Sequence, residues 1–126
     1  EGDLLLGRGG SAIVTLVERS TRYVLLARLP AGKTAAAVRP VLARTIRRLP
    51  AHLARSLTWD QGKEMAEHVR FTVRTGVQVY FCDPHSPWQR GSNENTNGLL
   101  RQYFPKGTDV GAVSQRALDR VAAELN

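Results

Sequence analysis

The sequence predicts an α/β domain built on a five-stranded mixed sheet with helices on its faces. Three observations carry this. First, strand-like runs at residues 3–6, 12–18 and 23–29 follow one another through short glycine-rich or polar turns, which implies an antiparallel meander. Second, helix-periodic stretches then alternate with two more strand-like runs, 55–58 and 77–81, as in strands joined by helical crossovers. Third, 126 residues with 42% hydrophobic content suit one domain with a proper core, residues 1–126.

The elements follow in order. After the meander, Pro30 and Gly32 break the pattern. Residues 33–49 then read as a helix with Val38, Val41, Leu42, Thr45, Ile46 and Leu49 on one stripe and Arg39, Arg44, Arg47 and Arg48 off it. Pro40 is awkward there, since an interior proline costs about 3 kcal/mol. Either the regular helix begins near Arg39 or it kinks. A fourth strand leads to Trp59 and Asp60, a second helix runs from about 62 to 74, and Gly76 stops it before the fifth strand. A proline-rich loop follows and becomes a third helix near Ser92, a good N-cap, which Pro105 and Gly107 end. On it, Leu100, Tyr103 and Phe104 form the expected buried side, while Arg90, Glu94, Asn97 and Arg101 share the other. A last amphipathic helix carries Val113, Ala117, Leu118, Val121 and Leu125.

Charge narrows the partners. Eighteen Lys and Arg stand against eleven Asp and Glu, a net charge of +7, and most of the positive charge is Arg. Arginine suits phosphate, so nucleic acid is the expected partner. One cysteine, Cys82, excludes a disulfide framework and fits a reducing compartment. No run is long enough to span a bilayer, and no signal peptide is visible. The three histidines lack metal-ligand spacing, which argues against zinc. A phosphate loop and a serine-nucleophile elbow are both absent. The chain opens without Met, already strand-like, and closes still helix-like, so it reads as a domain cut from a longer protein.

Three acids stand out. Asp3 lies in an otherwise apolar first strand. In a central strand its carboxylate needs a cation or a metal. The alternative is a frayed, solvated terminus. Asp60 closes the fourth strand and opens the second helix, where it also suits an N-cap. Glu94, in the first turn of the third helix, also suits the helix dipole. Two strand-borne aspartates and one helix-borne glutamate make a hard, all-oxygen site, suited to Mg²⁺ or Mn²⁺. Two such ions about 3.5–4 Å apart support phosphodiester displacement.

Long strings of the chain resemble one family. They are residues 1–4, 16–24, 57–65, 83–98 and 101–109, above all Asp83-Pro84-His85-Ser86-Pro87-Trp88-Gln89-Arg90-Gly91-Ser92-Asn93-Glu94. The resemblance is to the catalytic core of bacterial insertion-sequence transposases of the IS-thirty family, of the DDE class. It implies a ribonuclease-H-like fold, shared with the retroviral integrase core, and Asp3, Asp60 and Glu94 as a triad holding two Mg²⁺ or Mn²⁺ ions. The implied chemistry is hydrolysis at the element's end, then attack of the freed 3′-hydroxyl on target DNA. An upstream helix-turn-helix region is expected outside this chain. The implied partners are the element's terminal repeats and target DNA, with at least a homodimer in the full protein, working in the bacterial cytoplasm at the nucleoid. Gln89, Arg90, Asn93, Asn97 and Arg101 are expected to contact DNA beside the triad, with His85 in the neighbouring loop and Lys63 and Lys106 on phosphates. Trp88 either stacks on a frayed base or packs as a lid. The competing readings are another ribonuclease-H-like nuclease and a non-catalytic DNA-binding module that keeps the fold.

Overall fold

The strands form where β-branched and leucine residues cluster, and they assemble in the order β3-β2-β1-β4-β5. The computed structural model describes residues 1–18, 21–30, 32–50, 54–59, 68–81 and 91–126, with only the backbone at 69, 73, 81 and 91–94. β1 (Gly2–Leu6), β2 (Ala12–Val17) and β3 (Val24–Arg28) make the expected antiparallel meander, with Asp3 opposite Thr15 and Thr15 opposite Leu26. β4 (Ser56–Trp59) runs parallel to β1, and β5 (Gln78–Phe81) runs parallel to β4. α1 (Ala35–Ile46) connects β3 to β4, and α2 (His68–Thr75) precedes β5. α3 (Gly91–Tyr103) and α4 (Gln115–Leu125) close the chain. Among the described residues, short 3₁₀ turns occur at Arg8–Gly10, where the sequence suggested a turn, and at Val110–Ala112.

Strand alternation builds two cores, one on each face of the sheet. Ala12, Val14, Leu16, Leu25, Ala27, Leu57 and Trp59 point to the face covered by α1 and α2, where Val38, Leu42, Ile46 and Phe71 meet them. Leu5, Ile13, Val17, Val24 and Leu26 point to the other face, against Leu100, Phe104, Leu118 and Ala122 of α3 and α4. β2 is buried along its whole length, as a strand covered on both faces must be.

The structure corrects three expectations. α1 starts at Ala35, capped by the Thr34 side chain, and runs through Pro40. Pro40 and Ala36 are both exposed, so the carbonyl left without a helical donor is on the solvent side. Burial of Val38, Val41, Leu42 and Ile46, each contributing about 1.5–3 kcal/mol, outweighs the proline's cost. α3 begins at Gly91, so Ser92 lies inside its first turn and is not its cap. Tyr103 is 41% exposed, whereas Leu100 and Phe104 are buried as expected. The last helix is capped by Ser114, whose side chain accepts from the Ala117 N–H. Among the described residues, no helix is long and apolar enough to cross a membrane.

Candidate active site around Asp3

Asp3 is part of the sheet, not a frayed end. It lies in β1, two residues before Leu5, and therefore on the face that α3 covers. Its backbone is held by pairing with Thr15 on β2, and the buried Thr15 hydroxyl donates to the Asp3 carbonyl at 3.3 Å. The carboxylate is half-buried. Its Oδ1 accepts the Leu4 N–H at 2.8 Å, and its Oδ2 accepts the Asn97 side-chain amide at 3.1 Å.

Asn97 reaches Asp3 because of how α3 docks. Thr96, Leu100 and Phe104 are buried against the sheet, and Asn97 and Arg101 flank that stripe beside β1. The Arg101 guanidinium donates to the Leu6 carbonyl at 3.0 Å and to the Phe104 carbonyl at 3.4 Å. The first bond serves the end of β1 and the second serves the end of α3, where helix carbonyls need donors. The two contacts occur in the same order along helix and strand, so α3 lies lengthwise on β1. The polar side of α3 that the sequence turned outward is thus partly turned onto β1. Residue 94 lies one helical turn before Asn97, on the same side of α3.

The other predicted site residues stand as follows. Asp60, Lys63, His85, Trp88, Gln89 and Arg90 lie outside the described residues. Glu94 and Asn93 are placed in α3 by their backbone alone. Lys106 is exposed in the turn after α3. Asp60 directly follows Trp59 in the sequence, Asp3 directly follows Gly2, and Trp59 and Gly2 are paired across β4 and β1. Among the described residues no group of three His, Cys, Asp or Glu side chains gathers, and Asp3 is the one triad side chain described.

Sequence reasoning had placed Asn97 beside DNA and missed its contact with Asp3. It also missed Gly2. A Cβ at Gly2 would lie 2.5 Å from two ring atoms of Trp59, so only glycine lets β1 and β4 approach here. Two signals were present: the three-residue spacing of Glu94 and Asn97, and a glycine directly before Asp3.

Comparison with known proteins identifies the family and the fold. The model of the integrase core domain family matches residues 1–87. A transposase for insertion sequence element IS30A from Escherichia coli is 56% identical over 126 residues, all of this chain and 33% of the relative. A transposase for insertion sequence element IS1086 from Cupriavidus metallidurans is 54% identical over 127 residues, covering 37% of its length. The chain thus spans about a third of the length of these relatives. The catalytic core domain of BIV integrase superposes with a TM-score of 0.70 at 18% identity, over 99% of this chain and 80% of that one. A chain of the simian T-cell lymphotropic virus intasome superposes with a TM-score of 0.69 at 19% identity, over 100% of this chain and 46% of that one. These structural likenesses establish the ribonuclease-H-like fold that the sequence resemblance implied. With the family model matched over residues 1–87 and the sheet, its strand order and its helices in place, the chain belongs to the integrase core domain family.

Proposed function

We propose that residues 1–126 form the catalytic core of a DDE-class insertion-sequence transposase, which cleaves and joins DNA strands using divalent metal. The contact between Asn97 and Asp3 carries this reading. It holds α3 against β1 one turn from residue 94, so an acid on the helix and an acid on the strand belong to one neighbourhood. Asp60 joins them by its place in the chain, one residue past the partner of Gly2.

The donor set fits Mg²⁺ or Mn²⁺. Asp3 offers hard oxygens, with Oδ1 oriented by the Leu4 N–H and Oδ2 by the Asn97 amide. Asp3, Asp60 and Glu94 would hold the ions, two per site, which supply the activated oxygen and the stabilised leaving group of phosphodiester displacement. The chain's own residues bind and orient the DNA. Lys63, His85, Trp88, Gln89, Arg90 and Asn93 are assigned to the DNA near the cut, with Lys106 on a phosphate. The guanidinium of Arg101, bonded to backbone carbonyls, serves chiefly to seat α3 and contacts DNA only through its remaining N–H groups. The +7 charge favours the phosphate backbone more broadly, and Arg28, Arg44 and Arg48 line a groove of about 340 Å³ beside β3. The partners are the element's terminal repeats and target DNA. At least a dimer brings two ends together, in the cytoplasm at the nucleoid.

The test is cleavage and strand transfer on terminal-repeat DNA by the full-length protein with Mg²⁺ or Mn²⁺. Glu94→Gln and Asp60→Asn should each keep the melting temperature and DNA affinity while losing roughly a thousandfold or more of activity. Cleavage retained by Glu94→Gln removes Glu94 from the triad. Wild-type protein that binds DNA but cuts neither repeats nor RNA–DNA hybrids makes this a binding module, and cutting of hybrids alone makes it another nuclease.

A further inference from the structure

We propose that Asn97 is a positioning residue that sets the orientation of the Asp3 carboxylate for metal binding. The inference rests on the reading of Asp3 as a metal ligand. The Asn97 Nδ2 donates to Asp3 Oδ2 at 3.1 Å, while the Leu4 N–H holds Oδ1 at 2.8 Å. A carboxylate gripped at both oxygens has its rotation fixed. The orientation of the amide follows from chemistry, since turning it over would set the Asn97 oxygen against a carboxylate oxygen.

The rest of the amide points the same way. Asn97 Oδ1 is buried and has no hydrogen-bond partner among the described residues. Buried polar atoms in native proteins are nearly always satisfied, so an asparagine kept with an unpaired oxygen is poorly explained by stability alone. Its described polar contact is with Asp3. The backbone of the same residue is held as well, because the Thr15 hydroxyl donates to the Asp3 carbonyl. Arg101, one turn further along α3, locks the helix to Leu6 and so fixes the distance from which Asn97 reaches. Partners that orient a ligating carboxylate typically matter 10–100-fold in metal affinity.

The experiment is Mn²⁺ titration of the 126-residue chain by calorimetry, for wild type, Asn97→Leu and Asp3→Asn, with melting curves recorded without metal. Leucine keeps the volume and removes the donor. The expected result is Mn²⁺ affinity weakened about 10–100-fold in Asn97→Leu with a near-native melt. If Asn97→Leu does not fold, Asn97→Ala is read by the same criterion. Wild-type affinity in the folded variant overturns the inference while leaving Asp3 as a ligand, provided Asp3→Asn has lost binding. Binding retained by Asp3→Asn overturns the metal reading itself. A second readout needs no metal. The side-chain amide resonances of Asn97, assigned by NMR, should shift on Asp3→Asn, and resonances indifferent to that change sink the inference.

Discussion

Tyr103 is three residues from Leu100, yet it lies at the rim. The arc of α3 facing the sheet is filled by Thr96, Leu100 and Phe104, and the next side chain around the helix meets α4. Its hydroxyl donates to Glu124 Oε2 at 2.7 Å. That hydrogen bond, helped by partial desolvation and by the Glu124 charge, holds the phenol protonated and raises its pKa above the ordinary value near 10. The raised value in the folded state means the bond stabilises the protein below pH of about 10, and this is lost as pH rises through the folded-state pKa. Tyrosinate formation at Tyr103, followed by NMR of its ring, should therefore occur above 10 in the wild type and fall back in Glu124→Gln. Periodicity made Tyr103 legible as a contact residue. Which of two neighbours it contacts depends on where α4 packs, and residue spacing within α3 cannot encode that.

Elements show the same division. α4 was legible from its stripe, and Leu118 and Ala122 are buried on it. Its task beyond packing was not. β3 is the edge of the sheet, and an open edge exposes backbone groups to pairing with other chains. α4 and its C-cap Asn126 cover that edge with two side-chain amides. Asn126 accepts the Val24 N–H at 2.8 Å and donates to the Val24 carbonyl at 3.0 Å. Gln115 accepts the Arg28 N–H at 2.8 Å and donates to the Leu26 carbonyl at 2.8 Å. The two amides thus imitate a sixth strand. Gln115→Ala should lower stability by about 1–2 kcal/mol in urea unfolding and make the protein more prone to associate at high salt, where its +7 charge is screened. An unchanged midpoint and an unchanged oligomeric state would mean that water serves the edge equally well. Pro40 is the converse case. Local propensity argued against a helix through it, and the buried stripe of α1 overrode propensity, as tertiary packing often does.

At the scale of the whole molecule, the meander and the β4–β5 pair meet at one described register pair, Gly2 with Trp59. Trp59 is fully buried, and its ring lies against Gly2 so closely that an added Cβ would sit 2.5 Å from it. Gly2→Ala must push β1 from β4 or displace the ring, at a cost of about 1–3 kcal/mol. Because Asp3 and Asp60 each directly follow a member of this pair, the same change should weaken Mn²⁺ binding along with the melting temperature. A variant with wild-type melt and affinity would show that the junction yields without strain. The sequence by itself determined the strands, the helices, the meander, the basic character and the family, because periodicity, charge and long motif strings are local properties. It also singled out Asp3, whose charge is out of place among leucines. Only the tertiary structure decided that Asn97 serves Asp3, that Arg101 ties α3 to β1, that Gly2 admits Trp59 and that α4 guards β3. Each of these joins residues far apart in the chain, through distances of a few ångströms that depend on how whole elements dock, and no pattern within a single element records them.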